Sequence, residues 1–249
     1  MYLAELREEE PTMIKAVVFD LDDTLYDQLK PFKKAVEATH KDLHLTEVMV
    51  QRLYRAFKVA TDQAIQATDT STMARQVDPV LEELGLPPFT GEHSETFREH
   101  YRQELTHIDL FADIRRCLSS LKEHYQLGVI TNGETDLQSK KALQLDLHHW
   151  IDRDNMLISD EVGLQKPDAR IFTYFNRMLD LQANEAVYIG DNYNTDMIGA
   201  KQAGWQAFWF NHRHAELPGA NFIPDQTVET TEELADLLEA MSVASYQIT

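Results

Sequence analysis

Two aspartates one residue apart, Asp20 and Asp22, close an apolar run in Val17-Val18-Phe19-Asp20-Leu21-Asp22-Asp23-Thr24-Leu25. A carboxylate pair at the exit of a strand can hold a hard cation and attack an electrophile. Ile14 to Phe19 is nearly continuous in apolar residues, the pattern of a central parallel strand covered on both faces. In open α/β sheets ligands collect at the carboxyl ends of strands, which puts both aspartates where chemistry is done. Aspartates also cap turns and helices, the purely structural reading of the same residues. Three of them within four residues repel one another unless a cation or proton intervenes, and that favours chemistry over capping.

Three later segments share the form of an apolar run ending in a small polar cluster. In Leu127-Gly128-Val129-Ile130-Thr131-Asn132-Gly133 a hydroxyl and backbone N–H groups offer a cradle for a phosphoryl oxygen, with Gly133 allowing a tight turn. Alone, that segment reads better as an ordinary strand-to-helix turn with a Thr/Asn cap. In Gly163-Leu164-Gln165-Lys166-Pro167-Asp168 the proline is expected to begin a helix and to hold Lys166 extended. A lysine fixed near clustered carboxylates would hold an anionic nucleophile and a phosphate together, whereas an isolated Lys-Pro is usually a solvated surface pair. The third segment, Ala186-Val187-Tyr188-Ile189-Gly190-Asp191-Asn192-Tyr193-Asn194-Thr195-Asp196, again delivers carboxylates at the end of a buried strand and suits magnesium.

In order, spacing and strand context the four segments resemble the signature motifs of the haloacid dehalogenase superfamily, in its phosphatase version with a helical type-1 cap. The resemblance runs from Asp20 to Asp196, and the following Met197 to Trp205 resembles that family's next helix, with small residues for close packing and a glycine cap. It implies a nucleophilic Asp20 that forms an aspartyl-phosphate, and an Asp22 that acts as general acid and then general base. It implies Mg²⁺ held by the Asp20 carboxylate, the Asp22 backbone carbonyl and the Asp191 carboxylate. Thr131 and the backbone N–H of Asn132 would bind phosphoryl oxygens, Lys166 would neutralise charge on phosphate and Asp20, and Asp196 would orient Lys166 or nearby waters. Asp23 is read as local turn chemistry or additional charge. The founding dehalogenases lack an acidic residue two positions after the nucleophile and need no magnesium, so Asp22 argues against dehalogenation.

The implied activity is Mg-dependent hydrolysis of a phosphomonoester on a small metabolite: a nucleotide monophosphate, a sugar phosphate or a phosphoglycolate-like acid, with a lean to a nucleotidase or broad phosphatase. The same acid/base serves sugar phosphomutases, so intramolecular phosphoryl transfer is the alternative. A binding module that has lost its chemistry is the reading from another class, and the intact set Asp20, Asp22, Lys166 and Asp191 argues against it.

Composition agrees with a globular enzyme. The 249 residues are 43% hydrophobic, enough for a sizeable core. A formal net charge of −19, with 42 acidic against 23 basic residues, repels a nucleic-acid backbone. No apolar run approaches the roughly 18 residues of a membrane span and no signal-peptide core is seen, so the expected location is cytoplasmic. The single cysteine, Cys117, allows no internal disulfide and falls at a helix-core position. Residues 1–12 read as a polar extension at the edge, and oligomeric state is not legible.

Helical periodicity replaces strand periodicity from about Leu29 to His107, with apolar faces at Leu29, Phe32, Val36 and Leu43; at Val48, Leu53, Phe57 and Ile65; at Val77, Leu81 and Leu84; and at Phe97, Tyr101 and Leu105. Such a block is either a helical bundle serving only stability or, as the resemblance implies, a helical cap, residues 29–107, that excludes water over a catalytic core of residues 13–28 and 108–249. Tyr26, Asp27 and Gln28 are candidates to touch the leaving group, and Tyr54, Arg55, Lys58 and Arg75 to meet an anionic or planar group. Helical patterns at Ile114 to Leu121, Leu137 to Leu147, Ile171 to Leu179 and Met197 to Ala203 alternate with strands, and this predicts an α/β fold with a three-layer, Rossmann-like parallel sheet. A further strand is expected at Ala207 to Phe210 and a final helix from about Glu232 to Met241. His212-Arg213-His214 lacks further ligands at metal spacing and reads as a loop. There is no internal repeat, low-complexity tract or long linker.

Overall fold

Strand β1 (Ala16–Phe19) is buried at every position, and its side chains divide by parity. Val17 and Phe19 join one apolar cluster and Ala16 and Val18 the other, as expected for a strand sandwiched between two helical layers. The computed structural model describes residues 13–41, 44–63, 70–88, 91–217, 219 and 222–246. The expectations placed on residues 1–12, Leu43 and Ile65 lie outside them.

β1 sits between β2 (Gln126–Thr131) and β4 (Ala186–Gly190), and β3 (Met156–Ile158), β5 (Gln206–Phe210) and β6 (Gln226–Val228) complete a sheet of order β3-β2-β1-β4-β5-β6. Every neighbouring pair is parallel. The order reverses direction at β1, so the ends of β1, β2 and β4 open onto the crevice where such sheets bind ligands. The first strand begins at Ala16 rather than Ile14, although Lys15 still donates to Glu185 O at 2.7 Å and accepts from Gln126 N at 2.9 Å. β3 and β6 have no counterpart in the sequence reading, because three-residue strands carry too little period to detect.

Among the described residues the insertion after β1 carries α1 (Leu29–Thr39), α2 (Glu47–Gln63), α3 (Thr70–Glu83) and α4 (Glu92–Glu104), ahead of the helix that leads into β2. Phe32, Tyr54, Phe57, Phe97 and Tyr101 form their interior, with Phe32 and Phe57 centroids 4.9 Å apart and Phe97 stacked on Tyr101 at 5.5 Å. One expected face member fails. Val48 is 70% exposed, because the buried stripe of α2 runs through Val50, Leu53, Tyr54, Phe57 and Ala60, a register that leaves Val48 facing solvent. This interior belongs to the same apolar cluster as the underside of the sheet, so packing is continuous from β1 to the inserted helices.

The remaining helices are α5 (Ala112–His124), α6 (Thr135–Gln144), α7 (Ser159–Val162), α8 (Ala169–Leu179), α9 (Ile198–Gln202) and α10 (Thr231–Tyr246). α5 and α10 cover one face through Ile114, Cys117, Leu118, Leu234 and Leu238, and α8 and α9 cover the other through Phe172, Phe175 and Ala200. The Cys117 thiol is fully buried and donates to Ile114 O at 3.3 Å, a packing role. Gly199 is needed for packing, since a Cβ there would meet the Phe172 ring and the Pro167 backbone. Pro167 does not begin α8. The helix starts at Ala169 with Asp168 as its cap, accepting from Arg170 N at 2.9 Å, because an aspartate side chain satisfies an orphan N–H that proline cannot. Among the described residues no helix is long and apolar enough to cross a membrane.

Candidate active site

At the sheet's carboxyl edge, β1 delivers Asp20, β2 delivers Thr131 and β4 delivers Asp191, with Lys166 rising from the loop before α8. Lys166 is buried at 3% exposure, and its Nζ donates to Asp20 Oδ1 at 2.5 Å, Asp196 Oδ1 at 2.7 Å and the Tyr188 hydroxyl at 2.9 Å. All three ammonium protons therefore have acceptors, as burial of a lysine demands. Tyr188 passes its own proton to Ile130 O at 2.6 Å, tying this arrangement to β2. The buried Thr24 hydroxyl donates to Asp20 Oδ2 at 3.3 Å and accepts from Asp191 N at 3.0 Å, linking the first and last strand ends.

Burial pushes the Asp20 carboxyl up to about 6 against the pull of Lys166, and repulsion from Asp196 and Asp22 adds to it. Asp191 is held well above the usual carboxylate range by burial, with Lys58 opposing and Asp23, Asp196 and Asp20 reinforcing. These groups need cationic charge nearby to ionise together. Carboxylate oxygens of Asp20, Asp191 and Asp196 lie within 4.8 Å of one another, an all-oxygen donor set of the kind that suits a hard divalent ion. The Lys58 ammonium from α2 stands 3.0 Å from Asp191 Oδ2, so the cluster already attracts a cation. Asp196 is turned elsewhere: it holds Lys166 and accepts from Asn192 N at 3.0 Å, a positioning carboxylate.

The Asp22 carboxylate is held by α6 and by Tyr26. Lys141 Nζ reaches both its oxygens at 2.7 and 2.8 Å, Gln138 Nε2 donates to Oδ2 at 2.9 Å, and the Tyr26 hydroxyl donates to Oδ1. Burial alone would raise this carboxyl, but Lys141 with the Tyr26 and Gln138 hydrogen bonds brings it below its ordinary value. Asp23, with φ of 65°, is fully buried and receives Gln28 N at 3.1 Å and Arg213 Nε and Nη2 at 3.0 and 2.7 Å. It therefore builds the turn after β1, with His212 Nε2 2.8 Å from its carbonyl oxygen. His212-Arg213-His214 lies in a loop and supplies this brace; among the described residues these histidines form no metal cluster.

A cavity of about 990 Å³ opens above the strand ends, and Asp20, Asp22, Thr131, Asn132, Lys166, Asp191 and Asp196 all line it. The Asn132 side chain takes no place in a cradle. It exchanges two hydrogen bonds with the Lys166 backbone, at 2.9 and 3.0 Å, and so aligns the second and third segments. Of the six further specificity candidates beside Gln28, only Lys58 lines the cavity with it: Tyr26 is spent on Asp22, Asp27 on Arg213 and Leu29 N, Tyr54 on Gln28 and the aromatic interior, and Arg55 and Arg75 face solvent. Gln138, Lys141, Thr24, Tyr188 and Arg213 were not singled out by sequence. Gln138 and Lys141 carried a faint signal, two polar residues three apart on a helix that follows a catalytic-looking turn.

Gly190 admits this geometry because a Cβ would overlap the Asp196 carboxylate. Gly190→Ala is expected to displace Asp196 and with it Lys166, lowering turnover by about 10²-fold while the protein stays folded. Steady-state rates beside a far-UV spectrum check it.

An all-parallel sheet with a buried Asp–Lys–Asp arrangement at the switch of strand order marks a class of α/β enzymes whose polar groups gather at the strand ends. The family profile of haloacid dehalogenase-like hydrolases matches residues 17–210, and the chain belongs to that family. It is similar to a glyceraldehyde 3-phosphate phosphatase of Methanopyrus kandleri, 28% identical over 92% of this chain and 99% of that one. A protein of the same description from Methanothermobacter thermautotrophicus is 32% identical over 82% of this chain and 88% of its own length. Among solved structures, the putative HAD-hydrolase YfnB of Bacillus subtilis, bound to magnesium, superposes with a TM-score of 0.72 at 22% identity, covering 91% of this chain and 99% of that one.

Proposed function

We propose that this protein is a Mg²⁺-dependent phosphatase that hydrolyses a small phosphorylated metabolite through an aspartyl-phosphate on Asp20. The observation that carries the reading is Asp20 at the cavity floor, held by Lys166 and Thr24 with Thr131, Asn132 and Asp191 around it. The relatives described as glyceraldehyde 3-phosphate phosphatases support the same chemistry. A phosphorylated substrate is a membrane-impermeant anion, so the proposal extends to a cytoplasmic enzyme.

In the first step an Asp20 oxygen attacks phosphorus, the bond to the leaving oxygen breaks, and Asp22, ionised beside Lys141 in the free protein and protonated as the phosphoryl charge arrives, gives that proton to the leaving oxygen. In the second, a water oxygen attacks phosphorus as Asp22 takes the water's proton, and the bond to Asp20 breaks to release inorganic phosphate. Lys166 holds the attacking carboxylate and faces the phosphoryl charge, while the Thr131 hydroxyl and the Asn132 N–H meet phosphoryl oxygens. Asp20, Asp191 and the Asp22 carbonyl would hold Mg²⁺, which when bound offsets repulsion between Asp20 and a phosphate dianion. Residues 29–107 serve as the cap, with Phe57, Phe97 and Tyr101 forming an apolar wall and Lys58 carrying positive charge toward the phosphate.

The test is release of inorganic phosphate from triose, sugar and nucleoside phosphates and phosphoglycolate, with Mg²⁺ and with a chelator. Metal-dependent release is expected. Folded protein that releases phosphate from none of them overturns the reading, and transfer of phosphate within a sugar would make the protein a mutase.

A further inference from the structure

Helix α6 turns one face to the acid/base carboxylate. Gln138 and Lys141, three residues apart and therefore stacked on that face, are 1% and 3% exposed, and both end on Asp22. Burying an ammonium costs several kcal/mol even when paired, and a well-packed apolar side chain often serves stability as well or better. A lysine kept at this point is thus poorly explained by stability. Its charge lies within hydrogen-bond reach of both oxygens of one carboxylate, and that carboxylate is the proposed proton carrier.

Gln138 extends the arrangement, because its Nε2 lies 2.9 Å from Asp22 Oδ2, 2.6 Å from Thr131 Oγ1 and 3.0 Å from Asn132 O. One amide thereby measures the proton carrier against the phosphoryl pocket. The helix itself is anchored at its start, where Asp160 accepts from Thr135 N at 3.1 Å and Thr135 Oγ1 at 2.9 Å, and Ser159 Oγ accepts from Gly133 N at 3.0 Å. The acceptors come from α7 and the donors from Gly133 in the preceding turn and from Thr135, the first residue of α6, so the face cannot slide without breaking three bonds.

We propose that Lys141, with Gln138, is the positioning residue for Asp22, setting the carboxyl group at the height above the phosphoryl pocket where the leaving oxygen departs. The proposal rests on the phosphatase reading. Its chemical consequence is selective: a basic alkoxide must receive a proton as its bond to phosphorus breaks, whereas a dinitrophenolate leaves unprotonated.

The experiment compares kcat/KM for an alkyl phosphate, glycerol phosphate, and for 2,4-dinitrophenyl phosphate, with Mg²⁺ present. This ratio reports steps up to departure of the leaving group and so excludes the later attack of water. Lys141→Met is expected to lower it about 10²-fold on the alkyl ester and at least about tenfold less on the activated one, the pattern also expected of Asp22→Asn. Lys141→Arg, which keeps a cationic donor, should recover part of the alkyl-ester rate. Gln138→Leu gives the same comparison if Lys141→Met does not fold. An equal loss on both esters, or no loss on either, overturns the role of Lys141 while leaving the phosphatase intact. A native enzyme that cleaves neither ester overturns the phosphatase reading and this proposal with it.

Discussion

Asp20→Asn is expected to abolish phosphate release, by roughly 10⁴-fold or more, since removal of the proposed covalent nucleophile leaves only binding and charge stabilisation. The amide has the same shape and can keep the Lys166 hydrogen bond on its oxygen, with its NH2 turned to the Thr24 hydroxyl, which can accept as well as donate, but it offers phosphorus no carboxylate. Folding should not suffer. Burial and two neighbouring carboxylates already push the Asp20 carboxyl up to about 6, so a neutral group at this position relieves repulsion. Lys166 keeps Asp196 at 2.7 Å as its counter-charge. The melting temperature of Asp20→Asn is therefore expected to equal or exceed that of the native chain, measured beside phosphate release with Mg²⁺. A residual rate above about one hundredth would remove Asp20 from the nucleophile's place, since general acid or positioning roles account for losses of that smaller size.

The largest effect on stability is expected at Arg213. Its guanidinium is the direct ion-pair partner of a fully buried Asp23, and Arg213→Ala leaves that carboxylate with only the more distant charges of Lys58 and His212, at a cost of about 3–5 kcal/mol near neutral pH. Burial works against ionisation of Asp23, yet hydrogen bonds and charge from Arg213, with Lys58 and His212 adding, lower its carboxyl to about 2. The folded value lies below the ordinary 3.8, so the stabilisation is complete above about pH 5 and fades as acid protonates the group, a contribution of about 2 kcal/mol. In Arg213→Ala the sign reverses, because a buried unpaired carboxylate is eased by protonation. The gap between the two proteins in urea denaturation should therefore narrow from pH 7 to pH 4, and Arg213→Ala with Asp23→Asn should regain much of the loss. A gap independent of pH would mean that Arg213 acts through packing on the Tyr54 ring, 5.5 Å from its guanidinium carbon, and not through charge.

The meeting of Asp20, Asp22, Thr131 and Asp191 at one cavity was legible because each stands at or just past the end of an apolar run, and the run and its polar end are neighbours in the chain, while Lys166 joined them through the resemblance of its segment. The same local signal identified β1, β2, β4 and β5 and the four inserted helices. It failed where local pattern is weak or ambiguous. β3 and β6 are too short to show alternation, Val48 fits a helical face in spacing but not in register, and Pro167 competes with a stronger capping residue beside it.

The sequence alone thus determined a parallel α/β sheet with carboxylates, a hydroxyl and a lysine at its strand ends, since alternation, turn chemistry and residue type are properties of adjacent residues. Only the tertiary structure decided which charges meet: Lys141 finds Asp22 across 119 residues, Lys166 finds Asp20 across 146, and Arg213 finds Asp23 across 190. No local pattern encodes these pairs. They arise when burial removes water from several charged groups at once, and the favourable arrangements are those that give each buried charge an opposite partner.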